Sequence, residues 1–235
     1  MKLSIIIPTY NEEKTIAEIV RDIQAVSFPI DYEIIIIDDV SVDRTYEKET
    51  ILKFRNKQRG ISNIRIFRNK INMGKGFSIR KGIRRATVEI LMIQDADNEY
   101  SPKDIPALLE PILKREAEVV YGSRFLNCRH PEEMKFPNWV ANNVLTQLTN
   151  LFFGLHLSDM ETCYKIFRAE VLKGLPLKAN RFTFEPEVTA LMAKKKIPIQ
   201  ELPISYSGRT AKMGKKIRAK DFFYALLVLL KYRLF

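Results

Sequence analysis

Ile90-Leu91-Met92-Ile93-Gln94-Asp95-Ala96-Asp97-Asn98-Glu99 joins a short apolar run to three carboxylates at alternate positions. The apolar part suits a buried strand. Its acidic end is harder to explain by stability. Like charges a few Å apart repel and raise one another's pKa unless a cation sits between them. Oxygen ligands at this density suit Mg²⁺ or Mn²⁺, with a substrate phosphate completing the shell. The same residues also make an ordinary polar turn, with Asp97 or Ser101 capping the helix that follows. Taken alone, the stretch leaves both readings open.

Working outward, Leu3 to Ile7 is a β-branched run stopped by Pro8, and Ile16, Ile19, Val20 and Ile23 follow at helical spacing. Tyr32 to Ile37 predicts a second strand ending in Asp38-Asp39, with Asp43 and Thr45 able to open the next helix. Asn63 to Phe67 predicts a third strand. The loop Asn72-Met73-Gly74-Lys75-Gly76 leads to a helix carrying Ile79, Ile83 and Ala86, and Val88 to Ile93 is the fourth strand. Strands alternating with helices argue for an α/β fold with an open, largely parallel sheet. Right-handed crossovers then place the strand C-terminal ends on one edge, where such sheets bind ligands. The polar clusters at 8–12, 38–43 and 95–99 fall together on that edge, which is the physical case for a site.

Beyond residue 117 the pattern is less regular. Glu118 to Gly122 reads as a fifth strand leading into Ser123-Arg124-Phe125. Pro137 to Leu155 reads as a helix with Val140, Val144, Leu148 and Leu151 as its apolar stripe. Ser158 to Lys165 is a polar loop running into Ile166-Phe167, Glu185 to Lys194 a helix, and Ile197 to Tyr206 mostly extended. A dense basic run, Arg209 to Lys220, precedes an apolar or amphipathic helix over 221–235. That helix suits a bilayer interface, with basic residues facing lipid headgroups, and equally a core or dimer contact.

The bulk numbers set bounds. The 235 residues are 46% hydrophobic, enough for a sizeable core, and the formal charge of +11 favours an anionic partner such as a nucleotide, a nucleic acid or a membrane surface. Cys128 and Cys163 stand far apart with no C-x-x-C, which disfavours a disulfide framework or a zinc site. The chain reads as intracellular, and the longest apolar run falls short of the roughly 18 residues of a membrane span.

Pro8-Thr9-Tyr10-Asn11-Glu12, Asp38-Asp39 with Ser41 and Asp43, Asn72-x-Gly74-Lys75-Gly76 and Asp95-Ala96-Asp97 come in an order and spacing that resemble the inverting family 2 glycosyltransferases of the GT-A fold. Tyr121 to Phe125, Asp159 to Lys165 and the Arg209 segment narrow the resemblance to the dolichol-phosphate mannose synthase branch. The resemblance implies a single GT-A domain over 1–220, with a Rossmann-like, mostly parallel sheet, and an amphipathic helix over 221–235. It implies metal-dependent transfer of a sugar from a nucleotide donor, GDP-mannose or a UDP-hexose, to a polyprenyl phosphate. Pro8, Tyr10, Glu12 and Asp39 would border the nucleoside, with Lys75 beside the donor. Asp95 and Asp97, with Glu99 as a third ligand, would hold Mg²⁺ or Mn²⁺. Arg124 would grip the acceptor phosphate and Arg209 the donor diphosphate. The expected setting is cytoplasmic, with peripheral association at the cytoplasmic face of a membrane. Val40 stands where the family has a glycine, and 135–138 lacks the second acceptor-binding arginine of some relatives.

The chemistry is consistent with those residues. A phosphate monoester is already ionised near neutral pH and needs no general base. A sugar hydroxyl acceptor would need one, and Asp159 is then the candidate, against a plain role as a cap or loop ion pair. Three rivals remain: a family 2 enzyme with a sugar-hydroxyl acceptor, a nucleotidyltransferase, and a nucleic-acid-binding protein. The acidic, glycine-free 8–13 loop counts against the second. Three acidic strand ends, which repel a phosphate backbone, count against the third, so no nucleic-acid partner is expected.

Overall fold

The protein is described here by a computed structural model covering residues 1–58, 63–208 and 219–235. Seven strands among the described residues form one sheet in the order β3-β2-β1-β4-β6-β5-β7. Strands β1 (Lys2–Thr9), β2 (Asp31–Asp38), β3 (Ile64–Arg68) and β4 (Ile90–Ile93) are mutually parallel, as the alternation with helices predicts. Helices α1 (Ile16–Ala25), α2 (Thr45–Gln58) and α3 (Lys75–Arg85) connect them. Ile5, Ile6, Ile7 and Ile34 to Ile37 are all fully buried. Each such side chain contributes about 1.5–3 kcal/mol through burial, so these two strands anchor the core.

Strand β1 does not stop at Pro8 but runs through it to Thr9. Strand β4 pairs with β1 only as far as Ile6↔Ile93. Pro8 therefore lies past the end of one neighbour, where its missing N–H costs no ladder bond. The sheet reverses its winding between β1 and β4, so the ends of those two strands, Thr9 and Gln94-Asp95, flank the switch point where open α/β sheets bind ligands.

The second half adds β5 (Val119–Ser123), β6 (Lys165–Arg168) and β7 (Gln200–Pro203). Strand β6 is antiparallel to both β4 and β5 and sits between them. The sequence shows it only as Ile166-Phe167 at the end of a polar loop, because four residues are too few to display a period. Only 200–203 of the expected extended segment is paired as a strand, β7. Helix α4 (Ile105–Leu113), the short α6 (Ala169–Lys173) and α7 (Phe184–Lys194) cover the sheet.

Helix α5 (Phe136–Phe153) forms where expected. Leu145, Thr146 and Thr149 are buried, whereas Val140, Val144 and Leu151 are exposed. The apolar stripe is thus not a core stripe. Helix α8 (Ala219–Leu234) packs against α5 and α7 through Asp221, Ala225 and Leu229, and the Tyr232 hydroxyl donates to Glu187 Oε1 at 2.7 Å. Its other face leaves Phe223, Tyr224, Leu227 and Leu234 exposed.

Candidate active site

A cleft of about 950 Å³ opens over the C-terminal edge of β1, β2 and β4. One wall carries Pro8, Tyr10, Glu12, Asp39, Lys75 and Asp95, with Asp97, Glu99 and Arg124 beside them. The other wall is mostly apolar: Met134, Pro137, Val140, Val144 and Leu145 from α5 and the loop before it, with Phe222, Phe223 and Ala225 from α8, interspersed with Asn138, Asn142, Lys220 and Asp221. The residues singled out in the first half of the sequence are therefore brought together. Arg209 lies outside the described residues, as do the other basic residues at 212, 215, 216 and 218.

The loops after β1 and β2 are laced to each other. Asn11 donates its N–H to Ser41 Oγ at 3.0 Å and accepts the Val42 N–H at 2.9 Å. The Glu12 N–H donates to Thr45 Oγ1 at 2.8 Å. This register needs left-handed backbone at Asn11 (φ 51°) and at Val40 (φ 64°). Asn tolerates that region; a β-branched valine is strained there. The turn therefore keeps the glycine-like shape despite the substitution.

Asp39 is a bracket. Its carboxylate accepts the N–H groups of Met73 (2.9 Å) and Gly74 (2.6 Å) and the side-chain amide of Asn69 (2.7 Å). Gly74 has φ 92°, and a Cβ there would lie 2.5 Å from the Asn180 carbonyl oxygen. Only glycine fits both constraints. The first N–H groups of α3 are also engaged, with Gly76 donating to Arg181 O and Phe77 to Asn180 O. The loop is thereby fixed and aims Lys75 into the cleft.

Lys75 Nζ lies 2.9 Å from Asp95 Oδ1 and 2.9 Å from Glu185 Oε1. Burial opposes its charge, but Asp95, Cys163 and Glu185 outweigh burial and hold the ammonium well above the usual lysine range. Among the described residues no three His, Cys, Asp or Glu side chains gather closely enough to hold a metal ion. Asp95 is turned to Lys75, and Glu99 Oε2 accepts the Tyr206 hydroxyl at 3.1 Å. Asp97 accepts the Glu99 N–H at 3.3 Å. Ser101 caps the following 3₁₀ turn, as the alternative reading of that stretch expects.

Arg124 and Asp159 are paired through both prongs of the guanidinium. Asp159 is fully buried, and its oxygens accept from Arg124 Nε and Nη2, each at 2.7 Å, and from the Arg124 N–H at 3.0 Å. The guanidinium also lies over the rings of Tyr206 and Phe125. Asp159 is thus closed within an ion pair.

One group at the site escapes sequence inspection. Glu161 lines the cleft, and its Oε1 is shut off from solvent with no hydrogen-bond partner. Burial, reinforced by Glu185, pushes its carboxyl above the usual range, against the pull of Lys165 and Arg124. Burial pushes Lys165 the other way. The only trace in the sequence is an acid placed among Met160, Thr162 and Cys163.

The cleft thus presents carboxylates, a lysine and an arginine at the edge where open α/β sheets bind ligands. Residues 4–175 match Glycosyl transferase family 2. The chain belongs to that family and is a glycosyltransferase with the GT-A fold. It is 32% identical to UDP-N-acetylglucosamine–dolichyl-phosphate N-acetylglucosaminyltransferase of Methanococcus voltae, over 96% of this chain and 94% of that one. It is 27% identical to dolichol-phosphate mannosyltransferase of Pyrococcus furiosus over 95% of its length, spanning 61% of that longer protein. Its fold superposes on glucosyl-3-phosphoglycerate synthase of Mycobacterium tuberculosis, crystallised with Mn²⁺, UDP and glucosyl-3-phosphoglycerate. The TM-score is 0.73 at 16% identity, over 98% of this chain and 79% of that one.

Proposed function

We propose that this enzyme transfers a sugar from a nucleoside-diphosphate donor to a polyprenyl phosphate. The observation that carries the proposal is the single cleft with one ionic and one mostly apolar wall. A soluble sugar acceptor gives no use for Val140, Val144 and Phe223 there, whereas an isoprenoid chain does. The names of the Methanococcus and Pyrococcus relatives point the same way.

In this account Pro8, Tyr10 and Glu12 border the nucleoside, and Asp39 holds the 72–74 loop against it. Arg124 receives the acceptor phosphate, for which a planar guanidinium is suited, while Asp159 fixes its orientation. The acceptor phosphate has a second pKa near 6, so its oxygen is already a nucleophile at neutral pH. It attacks the anomeric carbon as the bond to the donor diphosphate breaks, with inversion. Asp159 is then not needed as a base. The donor is a UDP-hexose or GDP-mannose.

The carboxylates fit a hard divalent ion in a restricted way. Their all-oxygen chemistry suits Mg²⁺ or Mn²⁺, but they form no closed cage among the described residues. Asp95 and Asp97 would hold the ion, with donor diphosphate oxygens and water completing its shell. When bound, it would neutralise charge growing on the leaving diphosphate.

No helix among the described residues is long and apolar enough to cross a membrane. We place the exposed face of α8, with Phe223, Tyr224 and Leu227 between Lys220 and Lys231, on the surface of an anionic bilayer, at its cytoplasmic side. The experiment is Val144→Glu at the apolar wall. Use of a polyprenyl phosphate should fall at least 10-fold while nucleotide binding is unchanged. Unchanged acceptor use would remove the apolar wall from the account.

A further inference from the structure

We infer that Glu161 reads a hydroxyl of the transferred sugar and so sets which donor the enzyme accepts. The inference rests on the nucleotide-sugar reading of the cleft.

The loop that carries Glu161 is held from behind. Lys165, fully buried on β6, donates from Nζ to the carbonyl of Met160, at 2.8 Å, and to that of Thr162. Its ammonium also sits 4.2 Å from the centre of the Tyr121 ring. The lysine thus clamps the two residues that flank Glu161. Met160 and Thr162 are fully buried, and Glu161 is the residue of the three that lines the cleft.

The other charged groups of this wall answer one another. Lys75 joins Asp95 to Glu185, and Arg124 joins Asp159. Glu161 Oε1 has no such partner. A buried polar atom left unpaired costs roughly 1–3 kcal/mol, so a ligand that pairs it gains that much. Three kinds of polar ligand group reach this cleft in the proposed reaction. The nucleoside belongs with Pro8, Tyr10 and Glu12. Phosphate oxygens are acceptors only and belong with Lys75 and Arg124. Sugar hydroxyls both donate and accept, so they satisfy a carboxyl in either protonation state. The sugar is therefore the match for Glu161. Sites that hydrogen-bond a substrate hydroxyl reject analogues lacking it strongly, because the site's own polar group is then stranded.

The test is equilibrium binding, with Mn²⁺ present, of UDP, UDP-N-acetylglucosamine, UDP-glucose and UDP-galactose, and of GDP and GDP-mannose. Wild type, Glu161→Ala and Glu161→Gln are compared. Wild type should separate the sugars sharing its nucleotide by about 10- to 100-fold, the range for pairing an otherwise stranded polar atom. Glu161→Ala should erase that separation and leave affinity for the bare nucleotide unchanged; Glu161→Gln, which keeps an acceptor, should retain part of it. Thermal unfolding should show both variants folded. Equal discrimination by Glu161→Ala and wild type overturns the assignment, as does an equal loss for bare nucleotide and nucleotide sugars. If wild type binds neither UDP nor GDP, the nucleotide-sugar reading itself fails, a result distinct from the other two.

Discussion

Arg124 and Asp159 meet in a buried pair with both prongs at 2.7 Å, and the same carboxylate also caps the Arg124 backbone N–H. The pair places a rigid cation in the cleft wall and explains why Asp159 shows no opening to substrate. Breaking a buried ion pair by removing one partner costs roughly 3–5 kcal/mol. Asp159→Asn should therefore lower unfolding stability by several kcal/mol and raise KM for the acceptor about 10-fold or more. The slope of log kcat against pH should keep its shape. If the acidic limb of that profile vanishes, Asp159 is a base after all.

Lys75 makes a comparable prediction on the donor side. Asp95 and Glu185 share its ammonium, and both are mostly buried. Lys75→Met leaves two carboxylates facing each other without a cation. Stability should fall by about 3 kcal/mol, the lower figure for a broken buried pair, and transfer should drop at least 100-fold. Denaturant melts and initial rates measure the two effects separately. A variant with wild-type rate would show that Lys75 is a structural strut only.

Val40 carries strain that glycine would relieve. Its left-handed φ of 64° costs about 1–2 kcal/mol for a residue with a Cβ. Glycine gives back part of the gain through unfolded-state entropy. Val40→Gly should raise stability by roughly 1 kcal/mol, seen as a higher melting temperature, with activity intact. A fall in stability would mean that the valine side chain packs more tightly than its partial exposure suggests.

Glu49 sets a pH dependence. It is fully buried on α2, where it accepts from the Thr9 hydroxyl, near Asp38, Asp43 and Arg68. Burial pushes its pKa up to about 8. A raised acid binds its proton in the fold at pH values where the unfolded chain has lost it. Its contribution is full below about pH 4.5 and declines as pH rises toward 8. Glu49→Gln should thus stabilise the protein relative to wild type at pH 8 and much less at pH 5, by thermal melts. An equal shift at both pH values would contradict the buried neutral acid.

The exposed face of α8 yields a binding prediction. Leu227 and Phe223 are about three-fifths exposed, so Leu227→Glu and Phe223→Glu should fold normally. Both should release the protein from phosphatidylserine vesicles in sedimentation while leaving binding of soluble donor unchanged. Undiminished vesicle binding would assign the face to another partner.

The parallel half of the sheet was legible because β1 and β2 are long β-branched runs and periodic helices separate its strands. Strand β6 was not, since Ile166-Phe167 is its only apolar stretch and its partner residues on β4 lie over 70 positions away. The stripe of α5 was legible, but apolar periodicity reports a common face and not what that face meets. The members of the site were legible from polar residues clustered at strand ends. Their pairings were not: Asp95 finds Lys75 twenty residues earlier, and only the fold shows it. Glu161 was hidden for the same reason, as an orphaned atom exists only relative to its neighbours.

The central claim is tested most directly by identifying the acceptor. The protein is incubated with Mn²⁺, each of UDP-N-acetylglucosamine, UDP-glucose and GDP-mannose, and an equimolar mixture of short-chain polyprenyl phosphate and soluble monosaccharides, and the products are weighed by mass spectrometry. The account predicts a polyprenyl phosphosugar from one donor, and its loss in Asp97→Asn. Transfer to a monosaccharide hydroxyl, with none to the polyprenyl phosphate, would contradict it.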